Sequence, residues 1–316
     1  MSTAHHPIGD SAPGTDVIVV GEALMDIVVS PRGTAEHPGG SPANVAYGLG
    51  RLGVDTALLT SIGDDHYAVA IEDHLRSAGV GLLTGSKRRG ATSTATAVLA
   101  SDGSAQYDFD VQWDLPPTAP AALPKVLHTG SIATFLAPGA AAVRGLLEQS
   151  HQRCLVTYDP NIRPALLGSH FQAKTIFEEL IPFTGVVKLS DEDAHWLYPR
   201  RPLEEISRHI LELGAGLVAI TRGADGSMLS TRATHVAIPP VRAVVADTIG
   251  AGDSFMSALI YGLLMRGTDG LAPSVLEALG RMAAKAAAIT VGRPGALPPT
   301  LEELQSDVPE QQPAHQ

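Results

Sequence analysis

Short apolar stretches with the length of β-strands alternate with helical segments along most of this 316-residue chain. The alternation predicts an α/β fold in which a mostly parallel sheet lies between two layers of helices. Parallel strands end at a common edge of the sheet, where such folds place their ligand contacts. The predicted strands are 16–20, 58–62, 126–128, 155–158, 186–189, 217–220 and 241–245. The predicted helices are 45–52, 66–78, 138–150, 169–181, 191–198, 203–213, 254–264 and 274–289.

One segment interrupts the alternation with a different period. Residues 92–99 and 106–111 alternate polar and apolar side chains on either side of the turn at 101–104, which is typical of a β-hairpin. A hairpin among βα units predicts a small β-sheet that lies over the main one. We expect this sheet to act as a lid formed by about residues 27–38 and 91–113.

The composition excludes several classes of partner. A net charge of −11 argues against binding to a nucleic acid, which requires a basic surface. No apolar stretch is as long as the about 18 residues that a membrane-spanning helix requires. The single cysteine, Cys154, lies in an apolar run and excludes a disulfide framework, so a reducing cytoplasm is the expected compartment. Residues 16–305 are predicted to form one domain with its lid, between a disordered leader at 1–15 and a disordered tail at 306–316.

The segment Asp247–Asp253 is the centre of the predicted site. It follows the β-branched run Val241–Val245 and precedes the apolar run Ser254–Ile260, so it is predicted to join a strand to a helix. The turn Gly250-Ala251-Gly252 would leave backbone N–H groups uncovered at the start of that helix. A phosphate fits such a place, because the free N–H groups and the helix dipole both favour an anion.

Asp253 stands in the first turn of the same predicted helix, where a carboxylate is repelled by a phosphate unless it has another role. The role that we assign is to accept the proton of a hydroxyl that attacks the phosphate. The alternative is an Asp that only caps a helix after a flexible turn, and a lone G-A-G-D motif favours both about equally. Phosphoryl transfer to a hydroxyl fits best, because it needs positioning and charge neutralisation more than covalent chemistry.

Two other glycine motifs compete for the phosphate. Gly85–Gly90 has the glycine spacing of a P-loop, but Ala91-Thr92 follow where Lys and Ser or Thr are required. Gly214–Ala219 matches the relaxed dinucleotide fingerprint, yet it precedes a predicted strand instead of following one. A dinucleotide oxidoreductase would have to use this second motif. A non-catalytic ligand sensor on the same fold would lack the base that Asp253 supplies.

Polar clusters at other strand ends supply candidate ligand contacts. Asp26 lies just past the first predicted strand, Gly39-Gly40 would let a ligand approach the backbone, and Asn44 can donate and accept at once. Taken alone, the glycine pair followed by Pro42 indicates a turn before a helix. The carboxylates Asp191-Glu192-Asp193 can hold Mg²⁺ directly or through water, or they form an acidic helix N-terminus that the dipole favours.

From Val17 to about Pro299 the chain resembles the PfkB (ribokinase-like) carbohydrate kinases. Gly39-Gly40 with Asn44 is similar to the first signature of that family, and Asp247–Asp253 is similar to its second, highly specific one. Runs that resemble the fructokinases most, and the 2-keto-3-deoxygluconate kinases less closely, are 21–26, 159–164 and 187–193. The resemblance implies a Rossmann-like sheet with a β-sheet lid, often paired with the lid of a second subunit in a homodimer. It also implies ATP, Mg²⁺ and commonly K⁺.

The resemblance implies roles for three groups of residues. The sugar would contact Asp26, Gly39, Gly40, Asn44, Arg163 and Asp253, with Phe109 or its neighbours closing over it. The nucleotide would contact Lys188, Ser190, Thr221, Arg222, Gly223, Gly226, Gly250 and Gly252. Metal ions would be held by Glu192, Asp193, Asp247 and the carbonyl of Ile249, the last two for K⁺.

One departure from the family pattern concerns the magnesium motif N-x-x-E, which falls on Ser190-Asp191-Glu192-Asp193. Ser190 lacks the amide and Asp193 is one methylene shorter than Glu, so the metal is expected to be held through an extra water or by Glu192. Arg222 stands where an apolar residue is common and could touch a nucleotide phosphate. The expected reaction transfers the γ-phosphate of ATP to a primary hydroxyl of fructose, with 2-keto-3-deoxygluconate and ribose as alternative acceptors.

Overall fold

The structure is a computed structural model that describes residues 6–7, 15–30, 33–99, 105–116, 118–119, 122–268 and 270–306. These ranges contain every residue that the sequence predicts for the site. The predicted leader and tail lie outside the described residues except at 6–7, 15 and 306. The predicted domain boundaries therefore stay predictions.

The described ranges contain fifteen strands and nine α-helices. The strands are β1 (His6–Pro7), β2 (Val17–Val20), β3 (Leu24–Ser30), β4 (Gly33–Gly39), β5 (Thr56–Leu59), β6 (Gly81–Leu82), β7 (Thr94–Leu99), β8 (Ala105–Asp110), β9 (Thr118–Ala119), β10 (Val126–Gly130), β11 (Leu155–Asp159), β12 (Val186–Ser190), β13 (Leu217–Thr221), β14 (Ser227–Ser230) and β15 (His235–Ile238). The helices are α1 (Ser41–Arg51), α2 (His66–Ser77), α3 (Gly139–Ser150), α4 (His170–Leu180), α5 (Asp191–Leu197), α6 (Leu203–Leu213), α7 (Ala251–Arg266), α8 (Pro273–Val291) and α9 (Leu301–Gln305).

The main sheet has nine strands among the described residues, in the order β6-β5-β2-β10-β11-β12-β13-β14-β15. Every pair from β6 to β13 is parallel, and β14 and β15 add an antiparallel edge, which confirms the predicted mostly parallel sheet. The chain places β5 and β6 on one side of β2 and then returns to place β10 on the other side. The carboxyl ends of β2 and β10 therefore flank a topological switch point, where open α/β sheets bind ligands.

Alternate residues of the main strands face opposite layers of helices. Ile18 and Val20 of β2 pack in one core with α3, α4, α5 and α6, whereas Val17 and Val19 pack in a second core with α1, α2, α7 and α8. All four side chains are almost fully buried. Burial on both faces explains why these strands are continuous apolar runs, and it confirms the predicted sheet between two helix layers.

A separate sheet of four strands, in the order β4-β3-β7-β8, contains the predicted hairpin as β7 and β8. We call it the lid sheet. His37, Asp26, Ala95 and Phe109 lie opposite one another across its four strands. Since opposed residues of neighbouring strands point to the same face, Asp26 and Phe109 share one face of the lid sheet. The small sheet is confirmed, and its closure over a ligand stays a prediction.

The prediction of a strand at Val241–Val245 is wrong. The chain leaves β15 at Pro239-Pro240 and forms no strand between there and the start of α7. Proline has no N–H for a ladder hydrogen bond, so β-branched residues that follow it gain little by pairing at this edge. The segment is attached instead through the Ala246 N–H, which donates to the Val291 carbonyl at 2.8 Å. Asp247–Asp253 therefore joins a loop, and not a strand, to α7.

The predicted helices agree with the observed ones within four residues at each end. The antiparallel strands β14 and β15 and the short α9 have no counterpart among the predicted elements. Among the described ranges, we find no helix that combines the length and the apolar character needed to cross a membrane.

Candidate active site

The two helices that carry the predicted signatures meet at their N-terminal ends. α1 begins at Ser41 and α7 begins at Ala251. A Cβ on Gly48 of α1 would lie 2.6 Å from the Oγ of Ser257 on α7, so a glycine is required for this close packing. Each helix start leaves backbone N–H groups unpaired and presents the positive end of its dipole. The point where they meet therefore favours negative charge.

Asp253, the third residue of α7, lies at this meeting point and is 9% exposed. Its Oδ1 accepts a hydrogen bond from the Ser41 hydroxyl at 2.7 Å, and its Oδ2 accepts one from Nδ2 of Asn44 at 2.9 Å. A carboxylate offers about four lone-pair sites, so each oxygen can still accept one more bond. The carboxylate is held in place and can still accept a proton.

The glycine turn before Asp253 opens α7 without a side-chain cap. Gly250 has φ of 74°, a left-handed conformation that suits glycine. The Ala251 N–H donates to the Thr248 carbonyl at 3.3 Å, whereas the N–H groups of Gly250 and Gly252 have no partner within the described residues. Two of the three N–H groups predicted to hold a phosphate are therefore available to it.

A buried ion pair lies directly beside this turn. Nζ of Lys188 on β12 is 2.8 Å from Oδ2 of Asp159 on β11, and a Cβ on Gly252 would lie 2.9 Å from the same Nζ. Burial lowers the pKa of Lys188, but the attraction of Asp159, Asp193 and Asp253 outweighs it and raises that pKa. Burial raises the pKa of Asp159 to about 6 although Lys188 counteracts it. Lys188 is therefore positively charged next to the predicted phosphate position.

The predicted sugar contacts also lie close together. A Cβ on Gly39 would lie 2.0 Å from Oδ2 of Asp26, so the Asp26 carboxyl occupies the space beside that glycine. Burial raises the pKa of Asp26 to about 6, the charge of Arg163 counteracts this rise, and the charge of Asp253 adds to it. The exposed Arg163 donates to its own neighbour, the Ile162 carbonyl, at 3.1 Å. Arg163 and Asp253 therefore both act on Asp26, which places the three side chains in a single site.

Glu22 lies at the topological switch point and was not among the predicted site residues. It is the second residue after β2 and is 4% exposed, and its Oε2 accepts a hydrogen bond from the Ala133 N–H just past β10 at 3.2 Å. Burial raises the pKa of Glu22 to about 8, although hydrogen bonds from Ser131 and Ala133 and the charge of Arg163 counteract the rise. Glu22 is therefore a neutral acid at neutral pH, and it joins the two strand ends.

We expect Glu22→Gln to stabilise the protein increasingly as the pH rises above 4.5, with the full effect at alkaline pH. The folded chain keeps a proton on Glu22 that the unfolded chain releases above the ordinary pKa of 4.5. The unfolding free energy of the parent therefore falls as the pH rises from 4.5 to about 8, and the amide removes this loss. Thermal unfolding should give similar Tm values for the parent and the variant at about pH 5. At about pH 9 the Tm of the variant should be about 5 °C higher than that of the parent.

Glu212→Gln is the matched control for this prediction, since Glu212 is exposed at the end of α6 and undergoes the same chemical change. Its Tm difference from the parent should not change between the two pH values. A Glu22→Gln difference that is equally small at both would contradict the neutral, buried state of Glu22.

The predicted nucleotide contacts lie where β12 and β13 end. Ser190 and Thr221 are neighbours in register, and a short 3-10 turn, Gly223–Asp225, follows Thr221. Arg222 donates from one terminal nitrogen to the Asp225 carbonyl at 2.7 Å, while its Nε is buried without a partner in the described chain. These strand ends form a rim of backbone and small side chains, and the predicted nucleotide contacts of this part of the chain lie on it.

The three predicted magnesium carboxylates differ in what they contact. Asp193 is 8% exposed and accepts from the Ile162 N–H at 2.9 Å and from the Ser190 N–H at 3.1 Å. Ser190 caps α5 in return by accepting from the Asp193 N–H at 3.0 Å, which makes a capping box. Asp191 and Glu192 are more exposed. No group of three or more metal-ligating side chains occurs within the described ranges.

The predicted K⁺ ligand Asp247 joins two loops. Its Oδ1 accepts from the Ile249 N–H at 3.0 Å, and its Oδ2 accepts from the Gly295 N–H at 2.9 Å. The loop that follows α8 is thereby held against the start of α7, where Cβ of Ala296 would lie 2.6 Å from a Cβ on Gly250. Both carboxylate oxygens keep lone pairs for a cation.

Comparison with known proteins gives a family match along nearly the whole chain. The description of the matching family is pfkB family carbohydrate kinase, and the match covers residues 14–303. The chain belongs to the pfkB family of carbohydrate kinases. The family, the fold class and the enzyme class predicted from the sequence are thereby confirmed.

Fructokinases are among the relatives of this pfkB kinase. It is 30% identical to the fructokinase of Rhizobium leguminosarum bv. trifolii over 79% of its own length and 80% of the relative. The structure of a Xylella fastidiosa fructokinase with bound ATP has a TM-score of 0.81 at 23% identity, over 92% of this chain and 97% of that one. A fructokinase double mutant from Vibrio cholerae O395, bound to fructose, ADP and potassium ion, has a TM-score of 0.80 at 23% identity, over 93% and 98% of the two chains.

In this pfkB kinase the predicted site residues form two connected groups. Asp26, Gly39, Asn44, Arg163 and Asp253 form the group around the N-terminal ends of α1 and α7. The nucleotide contacts lie at the ends of β12 and β13, except for Gly250 and Gly252 at the start of α7. The position of Phe109 is given by its pairing with Ala95 in the lid sheet. Their roles stay predictions. The sequence analysis did not predict Glu22 or Ser41 as site residues. The position of Glu22, a polar residue just after an apolar strand, could have indicated its role.

Proposed function

We propose that this kinase transfers the γ-phosphate of ATP to the primary hydroxyl of fructose, forming fructose 6-phosphate. The observation that supports this most is the position of Asp253. Its carboxylate is fixed by Ser41 and Asn44 where two helices begin, three residues after Gly250. One turn of chain therefore holds both a place for a phosphoryl group and a proton acceptor.

Asp253 would accept the proton of the attacking hydroxyl, a contribution of about 10²–10⁴ in rate. The N–H groups of Gly250 and Gly252 would stabilise the charge that develops on the phosphoryl oxygens, with about 3 kcal/mol for a well-placed donor. Lys188 lies beside Gly252 and adds positive charge at the same place. This division of roles suits phosphoryl transfer, in which positioning and electrostatics supply most of the catalysis.

The charges around the site support a neutral sugar over a sugar acid. Asp26 and Asp253 repel each other, and the groups whose charge counteracts the raised pKa of Asp26 are the exposed Arg163 and, with a smaller effect, His37 opposite it in the lid sheet. A carboxylate on the substrate would add a third negative group and compete with Asp26 for that guanidinium. Fructose is supported over 2-keto-3-deoxygluconate by this argument, and over ribose by the named relatives.

Two metal ions fit the residues present. Asp191 and Glu192 lie beside the nucleotide rim and have the carboxylate oxygens that Mg²⁺ prefers, often through water. Asp193 is the weaker candidate, because both of its oxygens already accept backbone hydrogen bonds. Asp247 and the Ile249 carbonyl supply oxygens for K⁺. Mg²⁺ would neutralise phosphate charge, and K⁺ would order the loops that Asp247 joins.

We extend the proposal to the lid sheet and to the assembly. Asp26 and Phe109 share a face of the lid sheet, so closure would bring an aromatic ring over a sugar that Asp26 contacts. A homodimer that pairs two lids and a cytoplasmic location are part of the same proposal. The rival oxidoreductase loses support, because Gly214 ends α6 and its motif leads into β13 rather than into a helix.

A screen for ADP release tests the proposed substrate. The purified chain is incubated with ATP and Mg²⁺ and, in turn, fructose, ribose, 2-keto-3-deoxygluconate, tagatose or adenosine. Fructose should give the highest kcat/KM. A higher value for another sugar would overturn the substrate assignment, and no ADP release with any of them would overturn the proposed function.

A further inference from the structure

The hydroxyl of Ser41 makes the shorter of the two hydrogen bonds to Asp253. The distance from Oγ to Oδ1 is 2.7 Å, and Ser41 is 8% exposed. A carboxylate can only accept, so the serine must donate its single hydroxyl proton. Hydrogen bonds from an O–H to an ionised oxygen are short and roughly twice as strong as neutral ones.

The placement of Ser41 is set by the start of α1. Gly40 precedes it with φ of 99° and contributes no side-chain cap. Ser41 and Asn44 are separated by three positions on the helix and therefore lie on one face, which they turn toward Asp253. Each engages a different oxygen, so the pair fixes both the position and the rotation of the carboxylate.

Several other charged groups act on the same carboxylate from neighbouring elements. Asp26 of β3 repels it, as does Asp159 of β11, while the ammonium of Lys188 on β12 attracts it. None of these side chains has a hydrogen bond to Asp253 within the described residues. Ser41 and Asn44 supply the direct hydrogen bonds, and Asn44 is already predicted to bind the sugar.

We propose that Ser41 is a positioning residue that holds the Asp253 carboxylate in one rotation and aims its free lone pairs at the acceptor hydroxyl. This inference rests on the proposed function, in which Asp253 is the base. A carboxylate that loses a donated hydrogen bond ionises at a higher pH, because the bond stabilises its charged form.

The test measures kcat/KM for fructose from about pH 4.5 to 9 in the parent, Ser41→Ala and Ser41→Thr. Ser41→Ala should move the acidic limb of the profile upward by about one pH unit, since a hydrogen bond to a charged group is worth about one such unit. Ser41→Thr keeps a hydroxyl and should restore most of the parent profile. If Ser41→Ala does not fold, Ser41→Cys is measured instead, because it keeps nearly the size of serine and its S–H is only a weak donor.

Ser257→Ala is the matched control, because Ser257 lies in the same helix interface, is 1% exposed and donates to the Ser254 carbonyl instead of to Asp253. It should leave the limb in place. An unmoved limb in Ser41→Ala would overturn the inference, as would an equal shift in Ser257→Ala, which would indicate general loosening of the helix pair. An acidic limb that persists in Asp253→Asn would also overturn the inference, whereas a parent that releases no ADP with fructose would overturn the proposed function instead.

Discussion

Asp253→Asn should lower kcat by about two or more orders of magnitude while ATP and sugar bind almost as before. The amide has nearly the shape of the carboxylate and can still accept the hydrogen bond from Ser41, so the start of α7 should keep its geometry. The amide cannot accept a proton from the attacking hydroxyl. Steady-state kinetics give the loss in kcat, and calorimetric titration of the same variant gives the two affinities.

The control is Asp73→Asn, which makes the same chemical change on the exposed face of α2, where Asp73 pairs with Arg76. Its kcat should equal that of the parent within about twofold. A kcat of Asp253→Asn within about tenfold of the parent would remove the assignment of Asp253 as the base. Loss of sugar binding in that variant, with kcat preserved at saturation, would instead make Asp253 a substrate contact without a proton-transfer role.

The parts of the fold that were predictable are those determined by local pattern. Val17–Val20 and the other buried strands are continuous apolar runs because helices cover both of their faces, and the sequence shows that directly. The run Val241–Val245 has the same local appearance, but Pro239-Pro240 ends the sheet just before it. Strand propensity contains no information on whether a partner edge is available, and this prediction failed for that reason.

The two signature motifs of the site could be predicted from the sequence, whereas the contacts between them could not. Ser41 and Asp253 are 212 residues apart in sequence, and nothing in their spacing indicates that one donates to the other. Their contact arises because α1 and α7 pack side by side with their N-terminal ends together. Lys188 was placed among the nucleotide contacts from its motif, whereas its partner Asp159, 29 residues earlier, could be recognised only once β11 and β12 were neighbours.

Lys188→Met should lower the unfolding free energy by about 3–5 kcal/mol, because it leaves the carboxylate of Asp159 buried without its partner. The loss of unfolding free energy should be smaller at about pH 5 than at about pH 8. Burial already raises the pKa of Asp159 to about 6, and protonation at the lower pH removes its charge. Urea unfolding at both pH values measures the difference.

A double-mutant cycle separates the ion pair from simple packing at this position. Asp159→Asn alone leaves the ammonium of Lys188 without its ion-pair partner and should also be destabilising. Asp159→Asn combined with Lys188→Met removes both charges of the pair and should be within about 2 kcal/mol of the parent. Additive losses in the double variant would contradict a coupled pair. A double variant that folds stably but has low kcat would locate the function of Lys188 in its charge beside Gly252, and a stable, fully active one would restrict the lysine to neutralising Asp159.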